Sequence, residues 1–356
     1  MKCKLSDICS FRKGKISVDG LNRSTYISTE NMLPNKCGIT EASSLPTVQL
    51  TQEYKKGDVL VSNIRPYFKK IWKATYDGGC SNDVLVFAAN SNTDKDFLYY
   101  ILANDDFFAY SMATSKGTKM PRGDKTSIMQ YEVPVMDIEL QRRIASILKS
   151  IDEKIELNNA INNNLEQQAA LLFDENYSNN NYNISTLEAV ATIKYGKGLP
   201  TKKLTAQGFP VFGGNGVIGR YTHFMYEEPQ VLVSCRGAAS GKIMESYPNS
   251  FVTNNSLILE WNDYRYYEFY KQFLLANPLN SYATGSAQPQ ITIDNIKNVP
   301  IPYPNYDEIS ELCLTLKSIS SLHYENVIEN NKLANLRDTL LPHLMSGELD
   351  VSDIEI

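Results

Sequence analysis

Two short runs put hydrogen-bond donors and cations together behind an apolar stretch. The first is Ser62-Asn63-Ile64-Arg65, followed closely by Lys69 and Lys70; the second is Ser234-Cys235-Arg236-Gly237, followed by Lys242. Later in each half lies a Gly-containing polar loop. Lys116-Gly117-Thr118-Lys119-Met120-Pro121-Arg122-Gly123-Asp124-Lys125 carries the cations Lys116, Lys119, Arg122 and Lys125, and Gly285-Ser286-Ala287-Gln288-Pro289-Gln290 carries Ser286, Gln288 and Gln290. Phosphates need cations, and base edges need forked or bidentate groups: arginine for guanine, a side-chain amide for adenine. These residues, with Asn215 in a glycine-rich turn, form the candidate set for contact with duplex DNA. Each cation alone reads equally as a solvated surface residue; what singles out Arg65, Arg236, Lys119 and Arg122 is their placement in matching parts of the two halves.

Motifs for other chemistry are missing or stand in the wrong context. No G-x-x-x-x-G-K-[ST] pattern exists. Gly214-Asn215-Gly216-Val217-Ile218-Gly219 fits G-x-G-x-x-G, but Arg220-Tyr221-Thr222-His223-Phe224 follows as strand or loop rather than helix, so the run reads as a tight turn from Gly213 to Gly216 with positive-φ positions. Asn277-Pro278-Leu279 lacks the aromatic with which adenine methyltransferases hold a flipped base. The three histidines (His223, His323, His343) are far apart, and Asp152, Glu153 and Glu156 read as a solvated helix face. No catalytic residue and no metal ligand is assigned. Six scattered cysteines without a C-x-x-C pair argue against zinc and disulfides and suit a reducing cytoplasm. No apolar run of about 18 residues suggests a membrane span, and the start MKCKLSDICS does not read as a signal peptide.

The elements that must position these loops come twice. Leu5-Ser6-Asp7-Ile8 is echoed by Leu187-Glu188-Ala189-Val190, Asp58-Val59-Leu60-Val61-Ser62 by Gln230-Val231-Leu232-Val233-Ser234, and Asp83-Val84-Leu85-Val86-Phe87 by Ser256-Leu257-Ile258-Leu259. Leu102-Ala103-Asn104 returns as Leu275-Ala276-Asn277, Ala113-Thr114 as Ala283-Thr284, and Val133-Pro134-Val135 as Val299-Pro300-Ile301-Pro302. Six words in one order imply an internal duplication. The Val-Leu-Val words read as buried strands, and Tyr266, Tyr267 and Tyr270 as packing within a helix.

Each half leads into a long helix. Residues 138–174 hold no Pro or Gly, and Leu140, Ile144, Ile147, Ile151, Ile155, Ile161, Leu165 and Leu172 form one apolar stripe. Such a helix spans roughly 55 Å. Residues 307–341 repeat the pattern, with Pro342 and Gly347 marking its end. Asn158 and Asn162, with Asn330 and Asn331, would act as polar register devices if they face each other, or as ordinary surface polarity if they do not. The chain is net negative, with 35 Lys+Arg against 40 Asp+Glu, but residues 1–137 and 183–305 are mildly basic and the helical segments acidic.

In this order the chain resembles the specificity subunit of Type I restriction–modification systems. The resemblance covers essentially the whole length. It is carried by Gly285-Ser286-Ala287-Gln288-Pro289-Gln290-Ile291 with Val299-Pro300-Ile301-Pro302, by Leu340-Leu341-Pro342-His343-Leu344-Met345-Ser346-Gly347-Glu348-Leu349-Asp350-Val351, and by Glu139-Leu140-Gln141-Arg142-Arg143-Ile144. The second helix opening, Asp307-Glu308-Ile309-Ser310, lacks the family's Gln, and the first loop lacks its Gln-Pro pair. The resemblance implies an α+β chain in which two target-recognition domains (1–137 and 183–305) alternate with two spacer helices (138–182; 306–356 with a C-terminal tail). The helices would pack as an antiparallel, coiled-coil-like pair with pseudo-two-fold symmetry. It further implies a non-catalytic, cytoplasmic subunit that binds an asymmetric bipartite duplex target with its domains one to two helical turns apart. Two methyltransferase subunits, holding the S-adenosylmethionine, and translocase-nuclease subunits are the implied protein partners. Two rivals are a scaffold that joins partners through its helices without binding DNA, and an enzyme using the Gly214–Gly219 turn for a nucleotide.

Overall fold

The computed structural model describes residues 2–285, 288–349 and 351. The fold is α+β, and the chain divides into two compact units: Met1–Glu156 with Asn330–Ile356, and Leu157–Glu329. Each unit holds one globular half of strands and short helices, part of the long helix Ile138–Ser178 and part of the long helix Tyr306–Ser346.

In the first unit the central sheet has the strand order Cys9–Phe11, Val84–Ala89, Val59–Ser62, Ile71–Lys73, antiparallel throughout. Its middle strands are apolar at consecutive positions because both faces are covered. Val59, Val61, Leu85 and Phe87 pack against the helices Lys95–Ala103 and Asp105–Ala113 and against Ile144, Leu148, Leu341 and Leu344 of the long helices. Leu60, Val84 and Val86 pack the opposite way, on Tyr54, Ile27 and Met32. A second sheet runs Lys15–Ser17, Leu50–Tyr54, Gly78–Cys80, Tyr26–Ile27, and Lys2–Lys4 pairs with Glu132–Pro134 just before the long helix starts.

The second unit repeats this plan. Its sheet order is Ala191–Tyr195, Ser256–Trp261, Val231–Ser234, Ile243–Glu245. Val231, Val233, Leu257 and Leu259 pack with the helix Tyr267–Ala276, Phe173 and Ile309, while Leu232 and Ile258 meet Phe212 and Val252. Tyr267 and Tyr270 are buried, and Tyr266 stacks on Tyr270. The strand Asn183–Thr186 pairs with Pro300–Tyr303 immediately before the second long helix.

The long helices run antiparallel within each unit. In the first, Arg337 donates to Asp152 at 2.7 Å, and Asp152 also accepts from Tyr100. In the second, the amide of Asn162 accepts from Asn326 at 2.8 Å and donates to the His323 carbonyl, and Asn158 donates to Glu329 at 2.7 Å. Asn158 and Asn162 therefore face the partner helix, bonded to Glu329 and to Asn326 and the His323 carbonyl. The second helix passes through Pro342 and ends at Ser346, with Gly347 at φ 75°. Burial of Leu341, Leu344 and Met345 in the first unit's core holds that last turn despite the hydrogen bond that proline removes. No helix among the described residues is long and apolar enough to cross a membrane.

Candidate nucleic-acid interface

In both units the second sheet strand runs into a tight knuckle, and a short hairpin is hydrogen-bonded onto that knuckle. Ser62 N donates to Lys70 O as Ser234 N does to Lys242 O, and Asn63 N donates to Asp83 O as Cys235 N does to Asn255 O. The hairpins close in the same way: Lys116 and Arg122 exchange backbone bonds, as do Thr284 and Gln290. Hairpin and knuckle then join through Arg65 N to Pro121 O at 2.8 Å, and through Gly237 N to Pro289 O at 3.0 Å. Gly117 (φ 92°) and Gly285 (φ 94°) turn the two hairpins at the same point.

These bonds correct the residue matching expected from sequence. Arg236 stands where Ile64 stands, because Ile64 bridges to Arg122 as Arg236 does to Gln290. Arg65 corresponds instead to Gly237, and Lys69 to Gly241. The expected equivalence of Arg65 and Arg236 is off by one residue, since their backbones adopt different conformations: φ is 51° at Arg65 and −144° at Arg236. In the hairpins, Met120-Pro121-Arg122 stands where Gln288-Pro289-Gln290 stands. The first loop thus keeps the proline and replaces the glutamines.

Burial sorts the candidates further. Ser62, Asn63 and Ser234 are 4%, 9% and 0% exposed. They shape the knuckle from beneath and present little surface: Ser62 and Ser234 close strands covered on both faces, and Asn63 follows directly after. Arg65, Lys119 and Arg236 are exposed, and among the described residues their side chains have no ion-pair or hydrogen-bond partner. Arg122 is exposed and lies 3.3 Å from Asp83, which steadies its fork. Lys116 is exposed but bound to Asp124, whose carboxyl that bond and the Ser127 backbone push down to about 2. Lys125 lies over the Phe11 ring. Lys70 is half-buried and donates to the Thr29 carbonyl at 2.6 Å, and burial lowers its pKa. Lys69 pairs with Asp105 at 2.7 Å.

In the second unit Lys242 donates to Asn215 at 2.8 Å, which ties the Gly213–Gly216 turn to the knuckle. That turn connects two antiparallel strands, Phe209–Gly213 and Gly216–Tyr221, as the sequence reading expected; within it only Gly216 has a positive φ. Gln288 and Gln290 are exposed. Ser286 lies outside the described residues.

The sequence reading missed the apolar part of the first knuckle. Tyr67 and Phe68 are 49% and 38% exposed, with ring centroids 4.6 Å apart, and Met120 in the attached hairpin is 48% exposed. The signal was an aromatic pair directly after Arg65-Pro66, in a loop otherwise expected to be polar. Together the exposed groups offer each unit guanidinium, ammonium or amide donors on a rigid backbone, the inventory that base edges and phosphates require.

A protein-family model described as Type I restriction modification DNA specificity domain matches residues 1–167 and 179–334. The specificity subunit of the Type I restriction enzyme HindI of Haemophilus influenzae is 32% identical over 157 residues, covering 42% of this chain and 34% of that protein. The EcoDI specificity subunit of Escherichia coli is 31% identical over 158 residues, covering 40% and 35%. These matches span about a third of the length of those two relatives. Among solved structures, the S subunit of a Type I restriction-modification system from M. genitalium aligns over 99% of this chain and 96% of that one, with 17% identity and a TM-score of 0.57, a likeness of fold.

Proposed function

The chain belongs to the family of Type I restriction modification DNA specificity domains, and from that premise we propose that it is the non-catalytic DNA-reading subunit of a Type I restriction–modification complex. Each recognition domain reads one half of an asymmetric, bipartite duplex target. The observation that carries this reading is the pair of knuckle–hairpin platforms: matched in backbone bonds, they differ in nearly every exposed side chain. One backbone with two sets of reading groups is what a protein needs to bind two different half-sites with the same docking mode. In the first unit the readers are Arg65, Lys119 and Arg122; in the second they are Arg236, Gln288 and Gln290. The long helices position two methyltransferase subunits, which hold S-adenosylmethionine and methylate adenine; translocase-nuclease subunits join the same assembly for cleavage.

The test is the methylome of cells that express the chain with its methyltransferase subunit, against cells lacking only this chain. A gapped adenine-methylated motif that vanishes with the deletion is expected. Exchange of residues 1–137 for another recognition domain should then change one half of the motif and leave the other intact. An unchanged methylation pattern in the deletion strain would sink the reading.

A further inference from the structure

We propose that Tyr67, backed by Phe68, is an apolar wedge that enters a base step of the half-site read by the first unit, and that the second unit has no such wedge. The proposal deepens the reading of residues 1–137 as a DNA-recognition domain and rests on it. Three independent features of one short segment converge on it.

The first is exposure. A packed aromatic pair stands in solvent at the tip of the knuckle, whose attached hairpin carries exposed Met120, although no other aromatic among residues 2–137 is exposed to this degree and Phe87, Phe97 and Phe107 are almost wholly buried. The second is charge. Arg65 stands two residues before Tyr67, and the Pro121 carbonyl that receives its backbone N–H belongs to the hairpin that carries Lys119. Exposed aromatics framed by uncommitted cations complement a polyanion that offers flat apolar faces inside its stack. That combination selects nucleic acid over a protein groove.

The third is rigidity. Among the described residues five non-glycine residues have positive φ, and four of them surround this segment: Asn35, Lys36, Arg65 and Lys69. Asn35 N donates to Phe68 O and Lys36 N to Lys69 O, while Lys36 and Lys69 both clamp Asp105. Burial alone would raise the Asp105 carboxyl pKa, but the two lysine bonds hold it below the ordinary carboxylate range. Strained backbone of this kind persists only where the surroundings over-determine it. A wedge that must part stacked bases has to be held in this way, because a floppy loop would lose its ordering entropy on entry. In the second unit the corresponding positions are Ala238, Ala239 and Ser240, which leave nothing to insert.

The experiment uses the full chain with its methyltransferase subunits and duplexes of the methylated motif. 2-Aminopurine replaces one base at a time in each half, the target adenines excepted, since extrusion toward a methyltransferase brightens a probe there. Binding is followed in parallel by anisotropy. The wild type should brighten the probe several-fold at one step of the half assigned to residues 1–137, and at no step of the other half. Tyr67→Ala should abolish the brightening and weaken binding about tenfold, and Tyr67→Phe should retain both. Tight, sequence-specific binding with no brightened step in the first half overturns the wedge and leaves the DNA-reading role standing. So does a Tyr67→Ala complex that brightens the probe as the wild type does. Failure of the wild-type complex to prefer its motif overturns both.

Discussion

The knuckle at residues 62–70 and the knuckle at 234–242 share their backbone bonds but meet the demand for left-handed residues in opposite ways. The second uses glycine at both positions, Gly237 (φ 76°) and Gly241 (φ 91°), where no Cβ penalty arises. The first uses Arg65 (φ 51°) and Lys69 (φ 50°), each at a conformational cost of about 1–2 kcal/mol. The difference separates scaffold from reader. A turn that needed only to form would take glycine, as the second does, whereas the first accepts strain at Arg65, an exposed cation, and at Lys69, which clamps Asp105. The units also differ in how they fasten their domains to the long helices. The first uses the half-buried Tyr100–Asp152–Arg337 chain, and the second a buried cluster in which Lys271 bonds Glu245, Glu268 and Ser320.

The largest effect should come from breaking the buried fastening. The Lys271 side chain is 4% exposed, and attraction to Glu245 and Glu268 more than offsets the desolvation that would lower its pKa. Lys271→Met leaves two carboxylates without their cation and should cost about 3–5 kcal/mol. Hydrogen exchange should then accelerate in peptides of residues 157–329 far more than in the first unit. Arg337→Met, in the half-exposed chain of the first unit, should cost about 1–3 kcal/mol, read the same way. If the two losses are equal, burial is not what distinguishes the fastenings.

Next in size is the asymmetry between the two glycines. A Cβ on Gly241 would come within 2.3 Å of the Asn280 backbone nitrogen, whereas a Cβ on Gly237 meets nothing within 4 Å. Gly241→Ala should therefore destabilise by about 3 kcal/mol, steric overlap adding to left-handed strain. Gly237→Arg should cost only about 1 kcal/mol, because the strain is partly offset by the glycine entropy it removes. Urea midpoints of the two variants check the order. Equal losses would mean that the second knuckle tolerates side chains as the first does, and the contrast between them would fail.

Much of this architecture is legible in the sequence, and the misreadings share a cause. The duplicated order of strands, helices and Val-Pro words predicts the duplicated plan because apolar periodicity is set by burial, which both domains need. The 138–174 stripe predicts the first long helix, which extends to Ser178. Residue identity fails where backbone conformation decides the match. Arg65 aligns by type with Arg236 but by conformation with Gly237, and Thr284 aligns by type with Thr114 but by hairpin bonding with Lys116. The four-residue spacing of Gly237 and Gly241, equal to that of Arg65 and Lys69, was the available clue. Nor does sequence tell a buried Ser62 or Ser234 from an exposed reader, since each closes a strand whose two-sided cover is supplied by distant segments.

The smallest effect on stability carries the sharpest test of the comparison. Arg65→Gly gives the first knuckle the residue that the second has at this position. It removes left-handed strain of about 1–2 kcal/mol and adds glycine's unfolded-state entropy of about 0.5–1 kcal/mol, so the fold should be unchanged or stabilised by up to about 1.5 kcal/mol. The same change removes a cation without a partner among the described residues. If Arg65 meets a phosphate, DNA affinity should fall for all sequences and the slope of log K against log salt should flatten by about one unit; if it meets a guanine, the loss should concentrate on one base pair of the motif. In either case stability and function move in opposite directions. A variant that loses both stability and binding would mean that Arg65 holds the knuckle together, and the strain at this position would then belong to folding alone.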